Sequence, residues 1–380
     1  MTQISAFRAA RIFDGTDWHD DAALLVEGGR VKAIVPADQV SDAQQVAGVI
    51  APGLIDLQVN GGGGVLFNNA CDASAVATIC DAHAGFGTTA VMVTLITDAP
   101  ELTDRAVLAA KEAKGTPGFL GLHLEGPHLA VARKGTHDPA LIRSMTDADL
   151  TRITKAAQEI AHMICTIAPE SVSPDQVREL RKAGVTVSLG HTDCSYETAV
   201  SYADAGAGMV THLFNAMSQM AHRAPGLVGA ALDDSRLSAG LIADGYHVSD
   251  AAMRVALRGN EGPGQVFLVS DAMSTIGSDQ TGFTLNGRQI YRADGRLTLA
   301  DGTLAGADIA LIDAVRYVHQ TLGLPLGQAL QMASKFPAQA IGLTDRGHLR
   351  PGAHADFFSL TSELTAAGTW IAGRQKGQTA

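Results

Sequence analysis

The sequence predicts an α/β protein: a closed (β/α)8 barrel of the TIM type, with a small β-sandwich domain built from both chain termini. Eight short apolar runs alternate with segments of helical period along the middle of the chain. The two ends instead show strand-like alternation with no helix between the strands. Eight strand-then-helix units favour a closed barrel over an open sheet. An open doubly wound sheet is the alternative, but the GxGxxG fingerprint expected after its first strand is missing.

The barrel strands are predicted from the apolar runs in chain order. These runs are Val49–Leu57, Thr88–Leu95, Phe119–Leu124, His162–Ile167, Val185–Leu189, Gly208–Val210, Ser238–Ala243 and Gln265–Val269. Helices are predicted between them, over Ala73–Gly85, Leu102–Lys114, Asp147–Ile160, Pro174–Lys182 and Tyr196–Ala205. A capping residue before a first-turn proline, as in Ser173-Pro174, is typical of a helix start.

The domain boundaries follow from the change of pattern at each end. Residues 1–48 contain a hairpin with a Gly-Gly turn, and residues 347–380 contain further short strands. Neither end has enough strands to be stable alone, so the two are expected to pair into one small β-sandwich. Residues 49–346 are assigned to the barrel, with a β-hairpin insertion near 282–304.

Charge and cysteine content exclude several classes of function. The chain has 380 residues and a net charge of −11, which argues against nucleic acid or an anionic membrane as the main partner. Its four cysteines do not form a disulfide framework. No apolar run approaches the roughly 18 residues of a membrane span, and no signal peptide is recognised at the N-terminus. We expect a cytoplasmic protein.

Polar residues end five of the predicted strands, where the active sites of such barrels lie. Glu125 ends the third strand, His191 and His212 follow the fifth and sixth, and Asp271 follows the eighth. A lone histidine there is usually structural, but this combination predicts a divalent-metal site with Glu125, His191 and His212 as ligands. Three protein ligands leave a position open for water, and Asp271 is the candidate base beside it. Zinc is favoured, although iron, manganese and cobalt accept the same ligands.

Nine short motifs, in order along nearly the whole chain, carry a resemblance to a known family. They are PGLIDLQVNG (52–61), LHLEGPHL (122–129), KGTH (134–137), LGHT (189–192), THLFNAM (211–217), Arg-x-Pro-Gly (223–226), DGYHV (244–248), VSDAM (269–273) and LAG (304–306). Together they resemble the N-acetylglucosamine-6-phosphate deacetylases of the amidohydrolase superfamily. The resemblance implies a metal-dependent barrel with a small β-sandwich from both chain ends, and removal of acetate from N-acetylglucosamine 6-phosphate.

The resemblance also implies roles for individual residues. Glu125, His191 and His212 would hold the metal, and Asp271 would take a proton from the attacking water and pass it to the leaving nitrogen. His137 resembles the histidine that contacts the acetyl carbonyl, although its division of roles with His247 is open. The other residues implied in substrate binding are Thr136, Asn215, the amide of Ala216, Arg223, Asp244, Leu304, Ala305 and Gly306. A homodimer is implied as well, with Arg223 near the subunit boundary.

One departure from the wider superfamily concerns the metal count. Many members carry His-x-His after the first strand and bind a second metal, whereas this chain has Gln58-Val59-Asn60. Neutral amides are weaker ligands than imidazole, so one tightly held metal is predicted per chain, and a weak second site at Gln58 and Asn60 stays open. The alternatives for function are a preference for N-acetylgalactosamine 6-phosphate or another N-acyl compound and, more remotely, a metal-binding barrel without catalysis.

Overall fold

The computed structural model describes residues 4–260 and 264–377 of the chain. Its N-terminal segment forms five strands: β1 (Ile4–Phe13), β2 (Trp18–Glu27), β3 (Arg30–Pro36), β4 (Gln44–Gln45) and β5 (Val49–Pro52). β1 pairs antiparallel with β2, and β2 with β3. The turn between β2 and β3 consists of Gly28 and Gly29, both with positive φ, as the predicted Gly-Gly hairpin requires.

Eight parallel strands form the barrel, and two very short strands follow the first of them. They are β6 (Leu54–Val59), β7 (Gly61–Gly62), β8 (Val65–Leu66), β9 (Thr88–Ile96), β10 (Phe119–Glu125), β11 (Met163–Ile167), β12 (Thr186–Leu189), β13 (Met209–Val210), β14 (Ser238–Leu241) and β15 (Val266–Leu268). The sheet order is β6-β9-β10-β11-β12-β13-β14-β15. A parallel bridge between Val59 of β6 and Ala272, four residues beyond the end of β15, closes the barrel. The predicted (β/α)8 barrel is confirmed.

Helices alternate with the strands and cover the outside of the barrel. They are α1 (Ala73–Ala84), α2 (Pro100–Glu112), α3 (Asp147–Ala157), α4 (Pro174–Lys182), α5 (Tyr196–Ala205), α6 (Gly226–Asp233), α7 (Asp250–Gly259), α8 (Leu311–Gln320), α9 (Leu326–Met332) and α10 (Lys335–Ala340). At the start of α4 the hydroxyl of Ser173 accepts from the backbone N–H of Gln176, the cap predicted from sequence.

The predicted first barrel strand, Val49–Leu57, is two strands in the structure. β5 pairs with β1 in the small domain, and β6 enters the barrel, with Gly53 between them. A Cβ on Gly53 would lie 2.0 Å from the Thr89 hydroxyl, so only glycine fits where the chain passes β9. The apolar run is continuous because both strands are buried. Residues 49–52 therefore lie in the small sheet rather than in the barrel.

The predicted hairpin insertion is a four-stranded antiparallel sheet at the C-terminal end of the barrel. Its strands are β16 (Gly282–Leu285), β17 (Arg288–Ala293), β18 (Arg296–Thr298) and β19 (Leu304–Ala307). Apolar side chains from this sheet form a cluster with Leu66, Ile96 and Met273. The cluster packs the insertion against β8, the end of β9 and the segment that follows β15.

The C-terminal segment completes the small domain with β20 (Phe357–Leu360), β21 (Ala366–Ile371) and β22 (Arg374–Gln375). β20 pairs with β5, so strands from both chain ends share one sheet, in the order β22-β21-β20-β5-β1-β2-β3. Phe7 of β1 contacts Phe357 and Trp370 edge-on, which closes the sheet over its own apolar core. The small β domain from both termini is confirmed; residues 1–3 and 378–380 of its predicted range lie outside the described residues.

No helix in residues 4–260 and 264–377 is both long and apolar enough to cross a membrane.

Candidate metal centre and active-site cavity

Three predicted ligands meet at the C-terminal end of the barrel. Glu125 is the last residue of β10, and His191 and His212 each lie two residues beyond the end of a strand, β12 and β13. Both histidines have positive φ, 49° and 31°, a conformation that costs free energy for a non-glycine residue. The sharp turn that this conformation produces brings each imidazole over the barrel mouth.

The donor atoms of these three residues form a tight triangle. Nε2 of His191 and Nε2 of His212 lie 3.4 Å and 3.1 Å from Oε1 of Glu125, and 3.1 Å from each other. The edge of a tetrahedral zinc site with ligands at about 2.0–2.1 Å is roughly 3.3 Å, so the triangle has the size of one face of such a site. All three side chains are buried. The residues therefore fit a divalent metal.

Neighbouring groups set the protonation states of His191 and Glu125 that metal binding requires. Nδ1 of His191 donates to the carbonyl of Arg133 at 2.9 Å, which leaves the Nε2 lone pair directed at the triangle. Burial alone would raise the pKa of Glu125, but the facing imidazoles of His191 and His212 outweigh it and hold that pKa well below its usual range. Glu125 is consequently a carboxylate at neutral pH, as a metal ligand must be.

Gln58 and Asn60 connect the ligand set to Asp271. Nε2 of Gln58 donates to Oε1 of Glu125 at 3.0 Å and to Oδ1 of Asp271 at 3.1 Å. Nδ2 of Asn60 donates to the same Asp271 oxygen at 2.7 Å. The two amides thus act as hydrogen-bond donors between two carboxylates. Burial, followed by the charge of Glu125, raises the pKa of Asp271 to about 6, suitable for a proton acceptor near neutral pH.

His137 lies beside the triangle on the loop after β10. Its Nε2 is 3.7 Å from Oε2 of Glu125, and its ring packs edge-on against that of His191 with centroids 4.3 Å apart. Nδ1 lies 2.7 Å from the hydroxyl of Thr97. Burial, and then the neighbouring His191, lower the pKa of His137 to about 3, so its imidazole is neutral. The ring can therefore serve as a neutral hydrogen-bonding group.

A cavity of about 210 Å³ contains the triangle, Asp271 and His137. His247 faces it from the loop after β14, and Nδ1 of His247 lies 2.6 Å from Oδ2 of Asp244. The other oxygen of Asp244, Oδ1, accepts the backbone N–H groups of Tyr246 and His247. Burial would raise the pKa of Asp244, but these hydrogen bonds and the His247 imidazole lower it. Asp244 therefore holds His247 in place.

Comparison with known proteins agrees with this geometry. Residues 49–376 match the Amidohydrolase family. A Shewanella sp. (strain ANA-3) protein named N-acetylgalactosamine-6-phosphate deacetylase is 38% identical over 372 residues, 96% of this chain and 94% of that protein. The chain belongs to the amidohydrolase family. The Homo sapiens N-acetylglucosamine-6-phosphate deacetylase is 37% identical to this amidohydrolase, over 92% of this chain and 90% of the human one.

A solved structure shows the same likeness in three dimensions. The crystal structure of N-acetylglucosamine-6-phosphate deacetylase from Pasteurella multocida matches this amidohydrolase with a TM-score of 0.94 and 33% identity. The match covers 99% of this chain and 100% of the Pasteurella multocida chain. The resemblance indicated by the sequence motifs is thereby confirmed.

Most of the predicted site residues of this amidohydrolase line the cavity. They are Glu125, Thr136, His137, His191, His212, Asn215, Ala216, His247, Asp271, Leu304 and Gly306. The hydroxyl of Thr136 is buried with no hydrogen-bond partner in the part of the chain that is described, so it is free to meet a ligand. Phe214 and Ala216 have positive φ, as do His191, His212 and Asp271. Backbone in a costly conformation thus occurs at several positions around the cavity.

Three predicted substrate residues do not line the cavity. Ala305 was expected beside Leu304 and Gly306, but in β19 successive side chains alternate, and Ala305 points into the apolar cluster of the insertion. Asp244 contacts His247 rather than the cavity. Arg223 is exposed on the loop before α6, outside the cavity of its own chain.

The sequence analysis missed Thr97, which directly follows β9 and is buried. Its hydroxyl contacts both His137 and the backbone of Glu125. The available signal was its position, since it is the polar residue at the end of the second barrel strand. The same criterion pointed to the predicted metal ligands.

Proposed function

We propose that this amidohydrolase removes the acetyl group of N-acetylglucosamine 6-phosphate, giving glucosamine 6-phosphate and acetate. Relatives that align with more than nine-tenths of this chain are named as deacetylases of N-acetylhexosamine 6-phosphates. The observation that carries the proposal is the buried triangle of Glu125, His191 and His212 in one cavity with Asp271 and His137.

One divalent metal, zinc, is proposed at the triangle of Glu125, His191 and His212. When bound there, such an ion lowers the pKa of a water and polarises a carbonyl group. The hydrogen bonds of Gln58 and Asn60 to the carboxylates favour a single ion, because these amides meet the carboxylates through N–H groups, which do not bind a cation.

Asp271 and His137 are proposed to carry the proton transfers and carbonyl recognition. An amide is a poor electrophile with a poor leaving group, so it needs an activated water, a polarised carbonyl and protonation of nitrogen. Asp271 accepts a proton from the attacking water and delivers it to the leaving nitrogen. His137 donates from Nε2 to the acetyl oxygen as negative charge develops there.

The 6-phosphate is proposed to bind at the other side of the cavity, near His247. Asn215 and the backbone N–H of Ala216 add neutral donors, and Thr136, Leu304 and Gly306 contact the sugar. Arg223 suits a phosphate because its guanidinium offers two parallel donors. Its exposed position outside its own cavity supports a homodimer in which Arg223 reaches the cavity of the partner subunit.

A second candidate substrate is N-acetylgalactosamine 6-phosphate. The 38% identical Shewanella relative carries that name, so the epimer at one hydroxyl is a specific alternative. Both substrates use the same metal, base and carbonyl donor.

Acetate release from four compounds separates these possibilities: the two 6-phosphorylated epimers and the two unphosphorylated sugars. We expect kcat/KM to be highest for N-acetylglucosamine 6-phosphate and to fall when the phosphate is absent. A higher value for the galactosamine epimer would select the second candidate. Absence of acetate from all four would contradict the proposed function.

We also propose that the enzyme works in the cytoplasm, which fluorescence imaging or fractionation of the host cell would test.

A further inference from the structure

The hydroxyl of Thr97 lies between two groups of the active site. Oγ1 is 2.7 Å from Nδ1 of His137 and 3.1 Å from the carbonyl oxygen of Glu125. Thr97 is 1% exposed, so water does not compete for these contacts. A hydroxyl carries one proton, and the position of that proton decides which ring nitrogen of a neutral His137 is protonated.

Two arrangements satisfy this geometry. If Thr97 donates to the Glu125 carbonyl, its oxygen accepts from Nδ1–H, and Nε2 of His137 is a bare lone pair. If Thr97 donates to Nδ1, the proton of the imidazole is on Nε2. Both arrangements use the 2.7 Å contact with Nδ1, and they differ in whether the hydroxyl proton points to the Glu125 carbonyl or to Nδ1.

The proposed role of His137 selects the second arrangement. A neutral imidazole can donate from Nε2 to the acetyl oxygen only if Nδ1 carries the lone pair. Oγ1 of Thr97, 2.7 Å from Nδ1, is then the group placed to donate to that lone pair. We propose that Thr97 is a positioning residue for the deacetylation: its hydroxyl donates to Nδ1 of His137 and so directs Nε2–H at the acetyl oxygen. This inference rests on the proposed function for the role of Nε2–H.

The surroundings of Thr97 are built to keep its hydroxyl in this place. A Cβ on Gly126 would lie 2.1 Å from Oγ1, so glycine leaves the room that the hydroxyl occupies. Nδ2 of Asn286, at the tip of the insertion, donates to the backbone oxygen of Thr97 at 3.3 Å. Arg288 of the same hairpin donates to the backbone oxygen of Thr136, which precedes His137. The insertion thus restrains both partners of the Thr97–His137 contact.

The first test compares Thr97→Val with Thr97→Ser in the zinc-loaded enzyme. Valine keeps the shape of threonine and removes the hydroxyl, whereas serine keeps the hydroxyl. We expect Thr97→Val to lower kcat about tenfold with little change in KM, because the lost donor matters most as charge develops on the acetyl oxygen. Thr97→Ser should stay within about threefold of the wild type. Equal loss in both variants, or loss of zinc from Thr97→Val, would overturn the inference.

A double-mutant comparison shows whether Thr97 acts through His137. His137→Asn removes the imidazole, and adding Thr97→Val to it should cause no further loss of kcat. If the two losses multiply, Thr97 acts by another route and the inference is wrong. These measurements need an active wild type: an inactive wild type contradicts the proposed function, whereas an active wild type matched by Thr97→Val contradicts only the Thr97 assignment.

Nitrogen-15 NMR of histidine-labelled, zinc-loaded protein tests the tautomer without any substrate. The His137 signals are assigned by their absence from His137→Asn. We expect Nε2 protonated and Nδ1 unprotonated in the wild type and in Thr97→Ser, with the Nδ1 signal shifted in Thr97→Val. A proton on Nδ1 in the wild type would overturn the inference.

Discussion

Nδ2 of Asn60 lies 2.7 Å from Oδ1 of Asp271, and this hydrogen bond favours the ionised form of the carboxyl group. Burial works in the opposite direction and raises the pKa of Asp271 to about 6. A protonated Asp271 cannot accept a proton from water, so kcat/KM should fall as the pH decreases through about 6. Asn60→Ala removes a hydrogen bond that lowers the pKa of Asp271, so we expect kcat/KM of this variant to fall at a higher pH than in the wild type. If kcat/KM falls at the same pH in both proteins, this role for Asn60 is excluded.

Replacing the proposed base, Asp271, should leave the fold and the proposed metal site in place. We expect Asp271→Asn to retain the wild-type zinc content and to lower turnover at least about 10²-fold, the usual contribution of general acid–base catalysis. Acetate release and elemental analysis on the same preparation check this prediction. Turnover near that of the wild type in a zinc-loaded variant would remove Asp271 from the mechanism.

Arg223→Ala should affect phosphorylated substrates selectively. Because the guanidinium is proposed to bind the 6-phosphate, the variant should lose kcat/KM on N-acetylglucosamine 6-phosphate and keep it on unphosphorylated N-acetylglucosamine. Arg223→Lys, which keeps the charge without the planar donor pair, is the matched control and should recover part of the loss. Equal losses on both sugars would make a phosphate role untenable.

Mixing two impaired variants tests whether Arg223 serves the partner subunit. In a heterodimer of Arg223→Ala and Asp271→Asn, one cavity has both its own Asp271 and an intact Arg223 from the other chain. After subunit exchange, an equal mixture should recover about a quarter of wild-type activity, because half the dimers are mixed and each has one complete site. No recovery in a mixture shown to contain heterodimers would place Arg223 outside the partner's cavity.

His83 should make the stability of the fold depend on pH. It is fully buried in α1, Nε2 lies 2.9 Å from the carbonyl of Gly61, and burial lowers its pKa to about 4. The unfolded chain binds this proton near pH 6.5 and the folded one only near pH 4, so stability present above pH 6.5 is lost as the pH falls between these values.

His83→Gln keeps a donor near the position of Nε2 and removes the titration. Between pH 7 and pH 4.5 the variant should lose about 2 kcal/mol less unfolding free energy than the wild type. Denaturant unfolding at both pH values provides the measurement, and an identical pH dependence in the two proteins would contradict the assignment to His83.

The barrel and the clustering of Glu125, His191 and His212 could be predicted because local sequence carries both signals. Each apolar run predicts a buried strand. The residue types at the strand ends indicate the chemistry at the C-terminal end of the barrel, as for Glu125, His191 and His212. The division of the first run at Gly53 could not be read this way. Both halves are buried, and the break is imposed by the approach of Thr89 on another strand.

Side-chain orientations and contacts that depend on long-range packing could not be predicted from the sequence. Motif likeness placed Ala305 with Leu304 and Gly306, but the strand alternation that turns Ala305 away exists only because β19 pairs with β18. Gln58 was expected only to be a weak ligand, whereas the structure gives its amide a bridging role between two carboxylates. Thr97 was missed because a threonine has no chemistry of its own until His137, forty residues away, is folded against it.

The central claim is that Glu125, His191 and His212 hold one cation on which amide hydrolysis depends. Its most direct test is a zinc titration of chelator-treated enzyme while acetate release from N-acetylglucosamine 6-phosphate is measured. We predict no activity without metal, then a linear rise that ends at one zinc per chain. Full activity in metal-free enzyme, or a rise that ends at two zinc ions per chain, would contradict the claim.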